Sequence, residues 1–176
     1  MTPIETAAPA TDPQMRIGHV HLRVADLERA IAFYSGVLGL DVMQKFGDAA
    51  AFLSAGGYHH HIGLNTWESK GGTPPPPGHT GLYHTAFLYP TRAALGAAVK
   101  RVVDEGFRLT GRADHGVSLA VYLDDPDGNG VELYWDKPRE DWPVDGGGNL
   151  AMINAPFDVD ALIAEADGVP AGRERL

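Results

Sequence analysis

Apolar positions along this chain change period several times, and the changes recur in the same order in its two halves. From Met15 to Val24 (MRIGHVHLRV) apolar and polar residues alternate, which predicts a strand with His19 and His21 on one face and Val20, Leu22 and Val24 on the other. Asp26 follows as a helix N-cap. Leu27, Ala30, Ile31, Tyr34 and Leu38 then recur at helical spacing until Gly39, a left-handed stop. Three short strands are predicted next, Leu40–Phe46, Ala49–Ser54 and Tyr58–Asn65, with Gly56-Gly57 turning between the last two. Residues Trp67 to Thr80 contain Gly71-Gly72 and the four prolines Pro74–Pro77, so they read as a loop with a polyproline-like segment.

The same grammar then returns. Leu82–Tyr89 predicts a strand, and Thr91 caps a helix carrying Leu95, Ala98, Val99, Val102 and Val103 that ends at Gly106. Phe107–Leu109 is a short strand. Two apolar runs, Leu119–Leu123 and Val131–Trp135, flank Asp-Asp-Pro-Asp-Gly-Asn-Gly, a strand–turn–strand hairpin in which Pro126 fixes φ and the glycines accept positive φ. The order β-α-β-β-β therefore occurs twice, with His19 and His84 in the first strands, 84 − 19 = 65 residues apart. Such a repeat predicts a pseudo-twofold architecture in which each half covers the other's open sheet. The expected boundaries are a flexible arm over 1–14, one domain over 15–136 (modules about 15–66 and 82–136) and a C-terminal extension over 137–176. In that extension Trp142-Pro143 and Gly146–Gly148 read as an extended wrap, and Asp158–Ala166 as an amphipathic helix capped by Asp158.

Composition narrows the function classes. A content of 44% hydrophobic and 21% charged residues over 176 positions is ordinary for a soluble globular protein. The net charge of −9 argues against nucleic acid or an anionic membrane as partner. The absence of cysteine excludes disulfides, thiolate metal sites and cysteine nucleophiles. MTPIETAAPATDPQ lacks a basic start and an apolar core, and no apolar run approaches the roughly 20 residues of a membrane span, so a cytoplasmic location is expected.

Glu132 lies between Val131 and Leu133, and a carboxylate there needs a partner or a metal, because burying it alone costs several kcal/mol or more. Lys137 or Arg139 would serve as a salt-bridge partner. The sharper reading joins Glu132 to His19 and His84: two imidazoles and one carboxylate on strands far apart in sequence fit a facial triad that leaves half of an octahedral ion open. Such a set suits Fe(II), Mn(II), Ni(II) or Zn(II). By the repeat, the first-half counterpart of Glu132 is expected near His60 or His61. His21 and His79 read as exposed or structural, and Trp135 and Trp142 as packing residues. Asp124, Asp125 and Asp127 lack the spacing of a calcium loop and read as turn chemistry, and Gly146–Gly148 is followed by no Lys-Ser/Thr that would make a phosphate loop.

The segment GHVHLRVADLERAIAFYSGVLGL resembles the opening of the vicinal oxygen chelate superfamily, which includes glyoxalase I and the fosfomycin- and bleomycin-resistance proteins. LYHTAF, DDPDGNGVELYWDKPREDWP and YHHHIGLNTWESKGG are similar to its catechol-2,3-dioxygenase branch, and the resemblance covers about Arg16 to Pro143. It implies an α+β domain whose paired βαβββ modules form a curved, half-open mixed β-barrel. It implies His19, His84 and Glu132 as iron ligands, and Tyr122 as a hydrogen-bonding partner of a catecholic oxygen. It also implies His60 as acid–base, with His61 as its rival, and His115 as a further donor near substrate. The activity implied is Fe(II)-dependent extradiol cleavage of a small aromatic diol with O2, in a homodimer or larger homo-oligomer. The alternatives are a glyoxalase-like lyase or isomerase, which usually wants a second carboxylate, and a bleomycin-type drug-binding protein, which has no need of the three ligands together.

Overall fold

A computed structural model describes residues 11–166, so residues 1–10 of the expected arm and 167–176 of the extension lie outside the described residues. The first half comprises β1 (Val20–Arg23), α1 (Leu27–Ile31), β2 (Asp41–Phe46), β3 (Ala50–Ser54) and β4 (Ile62–Asn65). The second comprises β5 (Thr85–Leu88), α2 (Arg92–Asp104), β6 (Leu109–Asp114), β7 (Ser118–Asp124) and β8 (Gly130–Asp136), after which α3 (Val159–Ala164) closes the described chain. Each half makes one four-stranded sheet, in the orders β1-β4-β3-β2 and β5-β8-β7-β6. Within each, the first and last strands run parallel and the others antiparallel. This is an α+β fold with a repeated βαβββ unit whose two sheets do not close into a barrel.

Local chemistry explains most boundaries. The Asp26 carboxylate accepts the Arg29 N–H at 3.0 Å and Thr91 Oγ1 that of Ala94 at 3.1 Å, so both N-caps stand where side-chain oxygens place them. After Ile31 the helix widens into a π turn, Ala32–Val37, which brings both Phe33 and Tyr34 inward before Gly39 stops it at φ +84°. β1 is shorter than the alternation over Met15–Val24 predicts, because its partner β4 is itself only four residues long. β4 loses Tyr58–His61 to the turn that Gly56 and Gly57 open. β6 extends to Asp114, well past the expected Phe107–Leu109, since the polar run Thr110-Gly111-Arg112 sits on an edge strand where no apolar pattern is demanded.

One apolar core joins the halves. Leu22, Ala51, Leu53, Ile62 and Leu64 of the first sheet and Leu119, Val121, Leu123, Val131 and Leu133 of the second belong to a single buried cluster with the inner faces of α1 and α2. Phe33 packs edge-on to Phe107 at 4.9 Å between ring centroids, and Arg101 Nε donates to the Val37 carbonyl at 3.3 Å. The halves thus meet through their helix-covered faces. Strand alternation then sends His21, Phe52 and Gly63 of one sheet, and Tyr122 and Glu132 of the other, away from that core. The expectation that each half covers the other's open sheet is therefore not met, because the apolar residues that join the halves lie on the helix-bearing faces and the open faces point outward. Among the described residues no helix is long and apolar enough to cross a membrane.

Candidate functional site

Glu132 is central to β8 and pairs across the sheet with Tyr122 on β7. It is 9% exposed, and its two oxygens are separately engaged: Oε2 lies 2.8 Å from His84 Nε2, and Oε1 accepts the Tyr122 hydroxyl at 3.1 Å. Neither sequence candidate for an ion pair reaches it. Lys137 binds Asp114 at 2.7 Å, and Arg139 stacks over the Trp142 ring at 4.2 Å. His84 stands immediately before β5, whose parallel pairing with β8 sets Thr85 opposite Val131, so the imidazole arrives beside the carboxylate through the register of two strands. His115 Nε2 completes the group, 2.8 Å from the Tyr122 hydroxyl oxygen. Burial first, and then the Glu132 carboxylate, raise the Tyr122 pKa well above that of an ordinary phenol, so at neutral pH it is a hydrogen-bond donor.

Of this group His84 and Tyr122 line an open cleft of about 470 Å³, together with Tyr83, Thr110, Gly111 and other second-half residues. His84 Nδ1 is buried without a hydrogen-bond partner. The donor set fits a divalent cation. Two ligand atoms each about 2.1 Å from an ion and about 90° apart lie roughly 3 Å from one another, close to the separation of Nε2 and Oε2. Imidazole nitrogen with carboxylate oxygen suits Fe(II), Mn(II), Ni(II) or Zn(II).

The first-half candidates gather elsewhere. His19 immediately precedes β1, as His84 precedes β5, and its ring lies 4.3 Å from that of His60. His60 also contacts Phe52 at 5.0 Å, and its Nδ1 is 2.7 Å from that of His59. Partial burial, then the neighbouring His19, His59, His21 and His61, lower the His60 pKa, which favours a neutral imidazole. His61 points into its own turn, where Nδ1 accepts the Ala55 N–H at 3.3 Å and meets Ser54 Oγ at 3.0 Å. His60, not His61, therefore keeps company with His19. His21 and His79 are exposed, as expected. Among the described residues no three His, Cys, Asp or Glu side chains converge so as to hold a metal ion, so His19 does not join His84 and Glu132 within one chain.

Strand register also relocates the repeat counterpart of Glu132. Val20 pairs with Ile62 as Thr85 pairs with Val131, so the position equivalent to Glu132 is Gly63, not His60 or His61. Likewise Phe52, opposite Gly63, is the counterpart of Tyr122, opposite Glu132. A Cβ on Gly63 would sit 2.8 Å from the His21 ring, so the vacated position is filled by that imidazole, which in turn meets Phe52 and Trp67. One sheet thus carries an aromatic surface with histidines at its edge, and the other carries the carboxylate.

A family model described as the glyoxalase/bleomycin resistance protein/dioxygenase superfamily matches residues 16–133. The chain is 41% identical over 150 residues to a catechol-2,3-dioxygenase of Bacillus subtilis, covering 85% of this chain and 52% of that protein. It is 34% identical over 121 residues to a biphenyl-2,3-diol 1,2-dioxygenase of Rhodococcus globerulus, covering 69% and 63%. The chain therefore spans about half to two-thirds of the length of these relatives. In fold it is similar to a solved glyoxalase/dioxygenase of Nostoc punctiforme, at a TM-score of 0.60 and 19% identity over 76% of this chain and 100% of that one.

Proposed function

Because the chain belongs to the glyoxalase/bleomycin resistance protein/dioxygenase superfamily, we propose that it is an Fe(II)-dependent extradiol dioxygenase that opens a catechol ring beside its two hydroxyls. The observation that carries this reading is the buried Glu132 carboxylate, held between His84 and Tyr122, the two side chains through which it adjoins an open cleft. His84 and Glu132 are two ligands, and we assign the third to His19 of a second copy. The faces bearing the two half-sites are turned away from the shared core, so a twofold pair of chains would set one chain's His19 and His60 against the other's His84 and Glu132. Tyr83, 89% exposed, and Trp67, 64% exposed, stand near these faces as apolar surface for such a contact.

When bound, the ion supplies Lewis acidity toward the diol and an electron-transfer couple toward O2. The protein's own work is orientation and proton movement. Tyr122, kept protonated, accepts through its oxygen a hydrogen bond from a substrate hydroxyl and so fixes the ring in the cleft. His60, biased toward the neutral imidazole, takes a proton from the diol and returns it as the ring opens. Catechol and O2 together give a hydroxymuconic semialdehyde with no atom lost. The lyase alternative loses support at Gly63, where a second carboxylate would stand.

Protein loaded anaerobically with Fe(II) and then mixed with catechols in air is expected to consume O2 and form a yellow ring-fission product. A colourless mixture with no O2 uptake, together with Ni(II)- or Zn(II)-dependent turnover of a glutathione hemithioacetal, would replace this reading with the lyase. Assembly is tested separately. His19→Ala and Glu132→Ala chains, differently tagged and purified as mixed dimers, are expected to recover about one ion per two chains, although each variant alone holds almost none. A mixed dimer as empty as its parents would show that His19 does not act across chains.

A further inference from the structure

After β8 the chain makes a 3₁₀ turn at Arg139–Asp141 and returns to the edge strand β6. Asp114 N–H donates to the Ala155 carbonyl at 2.7 Å, and Ala155 N–H donates back at 2.9 Å. Ile153 N–H donates to the His115 carbonyl at 3.0 Å. Gly116, at φ +78°, permits this approach, since a Cβ there would sit 2.7 Å from Pro143 and 3.3 Å from Ile153. The Asp114 carboxylate pins the same corner, accepting from Lys137 Nζ at 2.7 and 2.8 Å and from the Gly116 N–H at 2.8 Å. Residues 150–155 thus form a strap over the sheet edge, and all of them lie beyond the 16–133 region that the family model matches.

The strap also grips a side chain. His115 Nδ1 is 3.2 Å from the Ile153 carbonyl oxygen. A carbonyl can only accept, so Nδ1 carries the hydrogen, and in the neutral imidazole Nε2 is left as a bare acceptor. That Nε2 lies 2.8 Å from the Tyr122 hydroxyl oxygen, whose other acceptor, Glu132 Oε1, is farther away at 3.1 Å. One phenolic hydrogen faces two acceptors. We infer that the strap Leu150–Ala155 is a positioning element of the site: by fixing the His115 tautomer it draws the Tyr122 hydrogen away from Glu132 and leaves both carboxylate oxygens available to a divalent cation. Without the strap, His115 can carry its hydrogen on Nε2 and donate to the phenol oxygen. The phenol then donates to Glu132 and competes with the cation. This rests on Glu132 as a metal ligand, and it makes His115 a positioning residue that acts through Tyr122.

Two measurements on the full chain test it. In metal-free protein, at a pH high enough to keep histidine neutral, ¹⁵N spectra are expected to show His115 protonated at Nδ1 and bare at Nε2. Ala155→Pro, which removes the N–H donated to Asp114, is expected to move it toward the opposite tautomer. In Co(II) titrations His115→Phe, with no acceptor for the phenol, should weaken binding about 10- to 100-fold, whereas His115→Gln, whose amide oxygen can accept that hydrogen, should stay within about threefold of the parent. Both variants lose the Nδ1 bond to the strap, so a purely structural role would move them alike. Equal losses, or a parent protein protonated at Nε2, overturn the inference and leave the metal reading intact. A parent protein that binds no Co(II) removes the metal reading and this inference with it.

Discussion

Glu132→Ala is expected to fold cooperatively and to lose its divalent ion. Truncating one member of a buried, hydrogen-bonded charged set costs about 2–5 kcal/mol in binding, which converts to a loss of affinity of roughly 30- to 4,000-fold. Iron or cobalt content after dialysis reads this directly, and ring cleavage should fall with it. The fold should survive because no apolar core contact is removed: Glu132 faces away from Val131 and Leu133, which carry the packing of β8. A second readout separates loss of a ligand from general loosening. Tyr122 owes its raised pKa to burial first and to the Glu132 carboxylate second, so the alanine variant should let the phenol ionise at lower pH. Glu132→Gln keeps an oxygen that can ligate but loses the charge, and it should hold metal more weakly than the parent and better than alanine. Unchanged metal content in Glu132→Ala would remove this carboxylate from the ligand set.

How much of this was readable before folding depends on whether the determinant is local. The β7–β8 hairpin is readable because Pro126 fixes φ and Gly128 accepts the positive φ, +79°, that the turn takes, whatever surrounds it. The caps at Asp26 and Thr91 and the stops at Gly39 and Gly106 are readable for the same reason. The pairing of His84 with Glu132 follows once two parallel strands are accepted, since each residue sits at a fixed offset from its strand. The counterpart of Glu132 was misplaced because the length of the turn Tyr58–His61 decides the count, and counting back from the strand pair Val20 and Ile62 gives Gly63 instead. The separation of His19 from Glu132 had no sequence signal. A βαβββ repeat looks the same whether its units meet by their helices or by their open sheets, and long-range packing such as Phe33 against Phe107 is what distinguishes the two. The strap was equally silent, because the group that orients His115 is a main-chain carbonyl, which any residue at 153 would supply.

The largest loss of stability is expected from Asp125→Ala, at about 3–5 kcal/mol in urea unfolding. Asp125 is 4% exposed, and its carboxylate accepts four hydrogen bonds. Oδ1 takes the N–H groups of Asp127 at 2.9 Å and Asn129 at 2.8 Å, which folds the turn between β7 and β8. Oδ2 takes Asn129 Nδ2 at 2.9 Å and the hydroxyl of Tyr34 at 2.9 Å, which ties that turn to the first half. Tyr34 is fully buried, so truncating Asp125 strands a hydroxyl in the core as well as two backbone donors. The next residues repeat the connection, with Asp127 bound to Arg29 at 2.6 Å and to the Ala25 N–H at 3.1 Å. Tyr34→Phe removes the stranded hydroxyl, so the double variant should be more stable than the two single losses predict when added, by about 1–3 kcal/mol. Because this turn sets how Tyr122 faces Glu132, Asp125→Ala should also weaken metal binding while Tyr34→Phe alone should not. A loss below about 1 kcal/mol for Asp125→Ala would mean that water replaces the carboxylate and that its bond to Tyr34 does not hold the halves together.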